Sequence, residues 1–129
     1  MTRYGEIRSY RDLLIRQKGM ALAKQICAVT RAFPGDERFG LTAQMRRAVV
    51  SVPSNIAEGQ ARHGRREFVQ FLSHAEGSLA ELDTQLTLAV ELAYCRPSDV
   101  DGSAATVVEL QKMMTSLRGK LMARLATNH

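Results

Sequence analysis

The chain has 129 residues, of which 45% are hydrophobic and 24% charged, and its formal net charge is +5. These values predict one folded domain over residues 1–129 with a core that needs no disulfide or metal, and they exclude a disordered chain. The longest run without a charged residue, 48–57, is about half of a membrane span, which argues against a membrane protein.

The first helix is predicted from Ser9 to Phe33. Ser9 and Asp12 have the spacing of a weak capping box, and Pro34 ends the helical pattern. The apolar side chains recur at helical spacing and comprise Ile15, Leu22, Ile26, Val29 and Phe33. A connection from Asp36 to Gly40 follows.

The second helix is predicted from Thr42 to Arg62. Its apolar stripe repeats every three or four residues and comprises Leu41, Met45, Ala48, Val52, Ile56 and Gly59. Pro53 lies inside this pattern, where it removes one amide donor and crowds the carbonyl group of Val49. We therefore predict a kink at Pro53 rather than the end of the helix.

Two further amphipathic helices complete the chain. The third is predicted from Arg65 to Tyr94, with an apolar face of Phe68, Phe71, Leu72, Ala75, Leu79, Leu82, Leu86, Ala89 and Ala93. The fourth is predicted over 99–126 and is opened by Ser98 or by 101–103; its face comprises Ser103, Val107, Leu110, Met114, Leu117, Leu121 and Leu125. Four such helices with short connections predict an all-α protein, an antiparallel up-down-up-down four-helix bundle.

A polar stripe runs beside the apolar stripe of the second helix. Its members follow at steps of three and four residues and comprise Gln44, Arg47, Ser51, Asn55, Glu58 and Arg62. One interpretation is a solvated face whose Arg–Glu pairs each contribute a few tenths of a kcal/mol. The other is a packed polar interface, which short Ser and Asn side chains favour over the Lys and Glu of an ordinary exposed face.

The positive charge is concentrated in the first half of the chain. Residues 1–66 contain 13 Lys and Arg against 5 Asp and Glu, whereas residues 67–129 contain 5 against 8. The candidate phosphate ligands are the arginines of the second helix and of the turn that follows it: Arg46, Arg47, Arg62, Arg65 and Arg66. A basic half can equally attract the acidic third helix of another copy, and both interpretations stay open.

The sequence contains no recognisable catalytic or metal-binding motif. No glutamate has a histidine three positions later, as a di-iron bundle requires, and His63 and His74 lie roughly 16 Å apart along a helix. The segment 35–42 has the glycine spacing of a phosphate-binding loop but Leu41 in place of its lysine. We therefore predict no metal, no cofactor and no enzymatic activity. Cys27 and Cys95 are isolated, as in reduced cytoplasmic proteins.

The segment from Leu41 to Gly59, LTAQMRRAVVSVPSNIAEG, is distinctive. Over residues 9–94 the chain resembles the four-helix bundle proteins encoded within intervening sequences of bacterial 23S rRNA genes. Further positions that carry the likeness are Tyr10, Leu13, Phe33, Pro34, Arg62, Glu67, Phe68, Phe71, Leu72, Ala75, Gly77, Ser78, Leu79, Glu81 and Leu82. The fourth helix is similar to the family by pattern alone.

The resemblance implies a ring-like homopentamer without enzymatic activity. A similar branch, the accessory proteins of diversity-generating retroelements, binds reverse transcriptase and nucleic acid. The family motif falls on Gln44, Arg47, Ser51, Asn55, Glu58, Gly59 and Arg62, the same polar stripe. Arg16 and the acidic third helix depart from the pattern, and the acidic helix fits subunit assembly better than membership of the basic retroelement branch.

These observations predict a non-catalytic, homo-oligomeric accessory protein of the bacterial cytoplasm. We expect it to bind structured RNA, or DNA, through its basic first and second helices. The alternative is a scaffold for a protein partner, with no nucleic-acid function and with the polar stripe as a subunit interface. A membrane partner is not expected.

Overall fold

The computed structural model describes residues 10–127, and the side chains of 12–126 within them. This part of the chain contains four α-helices: α1 (Tyr10–Thr30), α2 (Leu41–Ala61), α3 (Arg65–Glu91) and α4 (Pro97–Thr127). A short 3₁₀ helix, Gly35–Glu37, lies between α1 and α2, and the described residues form no strand. The all-α class is confirmed. The predicted capping residue Ser9 lies outside the described residues.

The predicted ends of the first and third helices were wrong by three residues. In α1 the hydroxyl of Thr30 donates to the carbonyl oxygen of Ile26 at 2.7 Å, and the amides that follow bond three residues back. Phe33 therefore lies outside the helix, although its side chain is buried. Ala93 was also placed wrongly: it has a φ of 61° beyond the end of α3 and is exposed.

The end of α3 has the hydrogen-bond pattern of a Schellman motif. The amide of Tyr94 donates to the carbonyl of Ala89 at 2.9 Å, and the amide of Ala93 donates to that of Val90 at 2.9 Å. Glycine usually occupies the left-handed position of this motif because it carries no Cβ. Since Ala93 is no glycine, the sequence carried no stop signal at this point.

The fourth helix begins at Pro97, earlier than either predicted start. Proline suits the first position of a helix, because its missing amide hydrogen has no partner there. The carboxylate of Asp99 accepts a hydrogen bond from the amide of Arg96 at 2.8 Å. Ser98 lies within the first turn instead of preceding it.

The helices pack in a square, with α1 against α2, α2 against α3, α3 against α4, and α4 against α1. Contacts across the α1–α2 and α2–α3 pairs join residues in opposite chain order, as antiparallel helices do. Gly19 contacts Pro53 whereas Arg46 contacts Thr30, and Ser51 contacts Ser78 whereas Gly59 contacts Phe68. The four-helix bundle is confirmed, and within it α1 lies diagonally opposite α3.

One cluster of buried apolar side chains fills the space between the four helices. It contains most of the predicted core positions, including Ile15, Leu22, Ile26, Met45, Val52, Ile56, Phe68, Leu72, Leu79, Leu82, Val107, Leu110, Met114 and Leu121. Val29 and Leu117 are half-buried at its edge. Helical periodicity was sufficient to identify this face because each helix turns one stripe toward the bundle axis.

Helix α2 continues through Pro53, so the prediction that the proline does not end the helix is confirmed. Pro53 is buried and faces α1, where a Cβ built on Gly19 would lie 3.5 Å from its ring atoms. The kink stays a prediction.

Candidate nucleic-acid interface

The middle of the polar stripe packs against the protein's own third helix. The hydroxyl oxygens of Ser51 and Ser78 lie 2.6 Å apart, and the amide nitrogen of Asn55 donates to the backbone oxygen of Ser51 at 2.8 Å. The Ser78 hydroxyl also bonds the backbone oxygen of His74 at 3.2 Å. The Ser51 hydroxyl therefore bonds α3, while the side-chain nitrogen of Asn55 bonds Ser51 within α2.

The outer members of the stripe face solvent. Gln44, Arg47, Glu58 and Arg62 are all exposed. Glu58 and Arg62 form an ion pair at 3.0 Å with the i,i+4 spacing, and the Arg62 guanidinium lies 5.1 Å from the centre of the Phe71 ring. Such an exposed pair contributes a few tenths of a kcal/mol. Both sequence interpretations thus describe part of the stripe.

Arg46, a candidate phosphate ligand, contacts the end of α1. Its Nε donates to the Thr30 hydroxyl at 2.9 Å, and its terminal nitrogen donates to the backbone oxygen of Cys27 at 3.4 Å. The last carbonyl groups of a helix lack helical partners and carry partial negative charge. Arg46 therefore joins α2 to the C-terminal end of α1, whereas its neighbour Arg47 is exposed.

A basic groove lies at the end of the bundle where α2 turns into α3. It has a volume of about 530 Å³ and is lined by His63, Arg65, Arg124 and Leu125. Arg66 is exposed in the same turn of α3 as Arg65. We call His63, Arg65, Arg66 and Arg124 the basic end. Arg124 was missed by sequence reasoning because it stands alone in the last turn of α4, and only the fold brings it to Arg65.

The start of α3 adds to the positive potential of the basic end. Gly64 precedes the helix and offers no side chain to cap it, so the first amide groups of α3 receive no side-chain acceptor from this position. The partial positive charge of the helix N-terminus favours anions. Glu67, in the first turn of α3, is the acidic side chain nearest in sequence.

A second groove of about 890 Å³ separates α1 from α2 on the outside of the bundle. Its walls are mainly apolar and include Leu13, Met20, Ala23, Val50, Pro53 and Ala57. Met20 is 52% exposed and Val50 is 49% exposed, which leaves two large apolar side chains in contact with solvent. We call this the α1–α2 groove.

Two pairs that contain titratable groups with perturbed pKa values lie in contacts between segments of the bundle, away from the basic end. The Tyr94 hydroxyl donates to a Glu37 carboxylate oxygen at 2.6 Å; this bond lowers the pKa of Glu37 and raises the pKa of Tyr94. Two hydrogen bonds from Arg118 to Glu76 join α4 to α3 and raise the pKa of Arg118. Each of these pairs holds two segments of the bundle together.

The described residues contain no group of three His, Cys, Asp or Glu side chains that could hold a metal ion. Burial raises the pKa of the Cys95 thiol, with Asp99 adding a smaller effect, which disfavours the reactive thiolate. Within residues 10–127 no helix is both long and apolar enough to cross a membrane.

Comparison with known proteins identified one family and one fold. The family model described as 23S rRNA-intervening sequence protein matches residues 11–116. A solved structure of a protein of unknown function from the S23 ribosomal protein family of Bacteroides thetaiotaomicron superposes with a TM-score of 0.78 at 20% identity, covering 84% of this chain and 98% of that chain. This likeness shows the fold alone. No curated protein matched the chain.

Proposed function

The chain belongs to the 23S rRNA-intervening sequence protein family, and from this premise we propose that it is a non-catalytic, homo-oligomeric accessory protein that binds structured RNA at its basic end. We place it in the cytoplasm, and the family resemblance indicates a pentamer. The observation that carries the RNA proposal is the convergence of His63, Arg65 and Arg124 around an open groove.

The chemistry of the basic end suits phosphate groups. Arginine presents several N–H donors in a plane, a geometry that matches phosphate oxygens, and most protein contacts to nucleic acids are made to phosphate and sugar. Arg66 and the N-terminus of α3 add positive potential beside the same groove. An open groove also admits a backbone that follows the surface, as a folded RNA presents.

The proposed RNA contact lies at the end of the bundle and not on the faces of the first two helices, where it was predicted from the sequence. Arg46 already bonds Thr30 and Cys27, so its loss would affect the fold before it affected a ligand. Arg62 pairs with Glu58, which reduces the positive charge available there. Arg47 is exposed, but it lies in the first half of α2, away from the turn that carries Arg65.

The test is fluorescence anisotropy with a structured rRNA fragment and a DNA duplex of equal length, titrated across salt. The wild-type protein should bind the RNA near physiological salt. Each phosphate contact removed by Arg65→Ala or Arg124→Ala should reduce the slope of log affinity against log salt by about 1. Lys112→Ala removes an exposed cation from the middle of α4 and serves as the matched control, with the slope unchanged.

The second candidate function is a scaffold for a protein partner. The exposed Met20 and Val50 in the α1–α2 groove favour it, because exposed apolar patches mark surfaces that other chains cover. Binding that occurs only at low salt, with equal affinity for all three variants, would reject the RNA proposal and support the scaffold.

A further inference from the structure

We propose that the α1–α2 groove binds the outer face of α3 from a second copy of the chain, so that copies associate head to tail. This inference rests on the self-association in the proposed function and names the two surfaces that carry it. It is independent of whether the basic end binds RNA.

The groove has the shape and composition of a helix-binding site. Met20 and Val50 stand at its sides, while Ala23, Pro53 and Ala57 have short side chains that leave the volume of about 890 Å³ between α1 and α2. Helices pack by fitting the ridge of one into the groove of another. Covering Met20 and Val50 would remove apolar surface from water, which favours association.

The outer face of α3 has the complementary shape. Four small residues, Ser73, Gly77, Ala80 and Thr84, follow at steps of four, three and four, and a Cβ at Gly77 would meet nothing within 4 Å beyond its neighbours and the backbone of its own helix. This spacing is that of a helix–helix seam. Leu88 continues the face and is 42% exposed, which supplies an apolar side chain large enough to enter a groove.

The charges of the two surfaces are opposite. From Glu67 to Glu91 the third helix carries five acidic residues and no lysine or arginine. Arg118 neutralises Glu76, but Glu81, Asp83 and Glu91 form no ion pair within the described part of the chain. They remain available to a cationic surface.

The lining of the α1–α2 groove carries one cation and one anion, Arg16 and Glu58, and two further cations lie just outside the lining. Lys24 lies one helical turn from Met20, and Arg47 lies one turn from Val50; both are exposed and neither forms an ion pair among the described residues. Opposite charges on facing patches steer association and set its orientation. We therefore assign the groove to an acidic helix, and α3 of another copy is the acidic helix that the chain itself provides.

Pairing of two identical grooves is disfavoured by the same charges. A symmetric contact of that kind would leave Lys24 and Arg47 of both copies without the carboxylates that α3 provides. The groove and α3 belong to different sides of the bundle, because α1 lies diagonally opposite α3. A contact between unlike surfaces leaves one groove free at one end of the assembly and one α3 face free at the other, so copies continue to add unless the geometry closes a ring.

The experiment measures molar mass by light scattering and sedimentation velocity on the full chain. Val50→Glu in the groove and Leu88→Glu on α3 should each weaken self-association about tenfold or more, because each places a carboxylate in an apolar contact. Val108→Glu is the matched control, since Val108 on α4 is 46% exposed and Val50 is 49% exposed. Circular dichroism checks that each variant keeps the wild-type helix content.

Mixing the two variants tests the head-to-tail geometry. Val50→Glu keeps an intact α3 face and Leu88→Glu keeps an intact groove, so an equimolar mixture should form a heterodimer and grow no further. Groove-to-groove pairing predicts instead that Leu88→Glu assembles normally and that the mixture forms no such dimer, and this result would overturn the inference.

Failure of the inference can be told from failure of the proposed function. A wild-type oligomer that Val50→Glu and Leu88→Glu leave intact would overturn the groove assignment while leaving self-association standing. A wild-type chain that is monomeric at all concentrations would overturn both. RNA binding is recorded separately by anisotropy.

Discussion

Helix α2 forms two very different contacts with its neighbours. Against α3 it packs closely: a Cβ on Gly59 would lie 2.8 Å from Cδ1 of Phe68 and 2.9 Å from Cβ of Phe71, and the Ser51 and Ser78 hydroxyls are 2.6 Å apart. Against α1 it leaves a groove of about 890 Å³ between the helices. The α2–α3 contact is closely packed within one chain, whereas the α1–α2 contact leaves the apolar side chains of Met20 and Val50 exposed.

The largest effect should come from the buried aromatic side chain of the α2–α3 contact. Phe68 is 1% exposed, and Phe68→Ala should lower the free energy of unfolding by about 3–5 kcal/mol because it leaves a cavity. The control is Phe39, which is 84% exposed. Phe39→Ala should change the free energy of unfolding by less than about 0.5 kcal/mol. Urea denaturation measures both. Equal losses would show that the α2–α3 contact is no more tightly packed than the surface.

The same substitution at two glycines should have opposite effects in the two contacts. Gly59→Ala adds a methyl group where Phe68 and Phe71 leave no room, and we expect a net loss of about 1–2 kcal/mol. Gly19→Ala adds it at an ordinary 3.5 Å from Pro53 and should gain about 0.5–1 kcal/mol from helix propensity. Thermal and urea denaturation of both variants measure this. A loss at Gly19 would mean that the α1–α2 contact is as tight as the α2–α3 contact.

Two adjacent arginines of α2 should differ in their effect on the unfolding free energy, because Arg46 bonds α1 and Arg47 is exposed. Arg46→Ala breaks the hydrogen bonds to Thr30 and Cys27 and should cost about 1–2 kcal/mol of unfolding free energy. Arg47→Ala, the neighbouring control, should change the unfolding free energy of the single chain by less than about 0.5 kcal/mol, measured at a concentration where the copies are dissociated. Chemical denaturation distinguishes the two. If Arg46→Ala proves neutral, the α1–α2 contact does not depend on this attachment.

The smallest effect on stability should appear at acidic pH. It arises from the hydrogen bond between Tyr94, beyond the end of α3, and Glu37, in the connection between α1 and α2. The hydrogen bond from Tyr94 lowers the pKa of Glu37 below its ordinary value of 4.5, so the folded state is stabilised above that pH and loses this contribution as pH falls through the lowered pKa. Tyr94→Phe should therefore reduce the fall in Tm between neutral and acidic pH.

Thermal unfolding followed at several pH values measures this change. The control repeats Tyr94→Phe in a Glu37→Gln background, where no carboxylate remains to titrate and the pH dependence should not change further. The raised pKa of Tyr94 has the opposite sense: its stabilisation is present below its ordinary value of 10.0 and is lost as pH rises through the raised pKa. An unchanged acid profile in Tyr94→Phe would show that the pair does not contribute.

Helix positions were predicted best where the signal is local. The bounds of α2 differ from the prediction by one residue at each end, because an apolar stripe and flanking breaks mark them directly. The end of α3 was missed because Ala93 adopts a left-handed conformation that alanine rarely adopts, so no residue type marked it. The site was predicted in part: Arg65 and Arg66 were named and His63 is their neighbour in the sequence, whereas Arg124 joins them only through the fold.

The sequence by itself determined four amphipathic helices and the residues of their shared core, since helical periodicity is a property of each segment alone. The tertiary structure decided which polar groups are used inside the chain. Arg46 bonds α1, Ser51 bonds α3, and Arg124 joins Arg65 at one end of the bundle. These contacts depend on the rotation and register of whole helices, which the summed packing of the core sets and no single segment encodes.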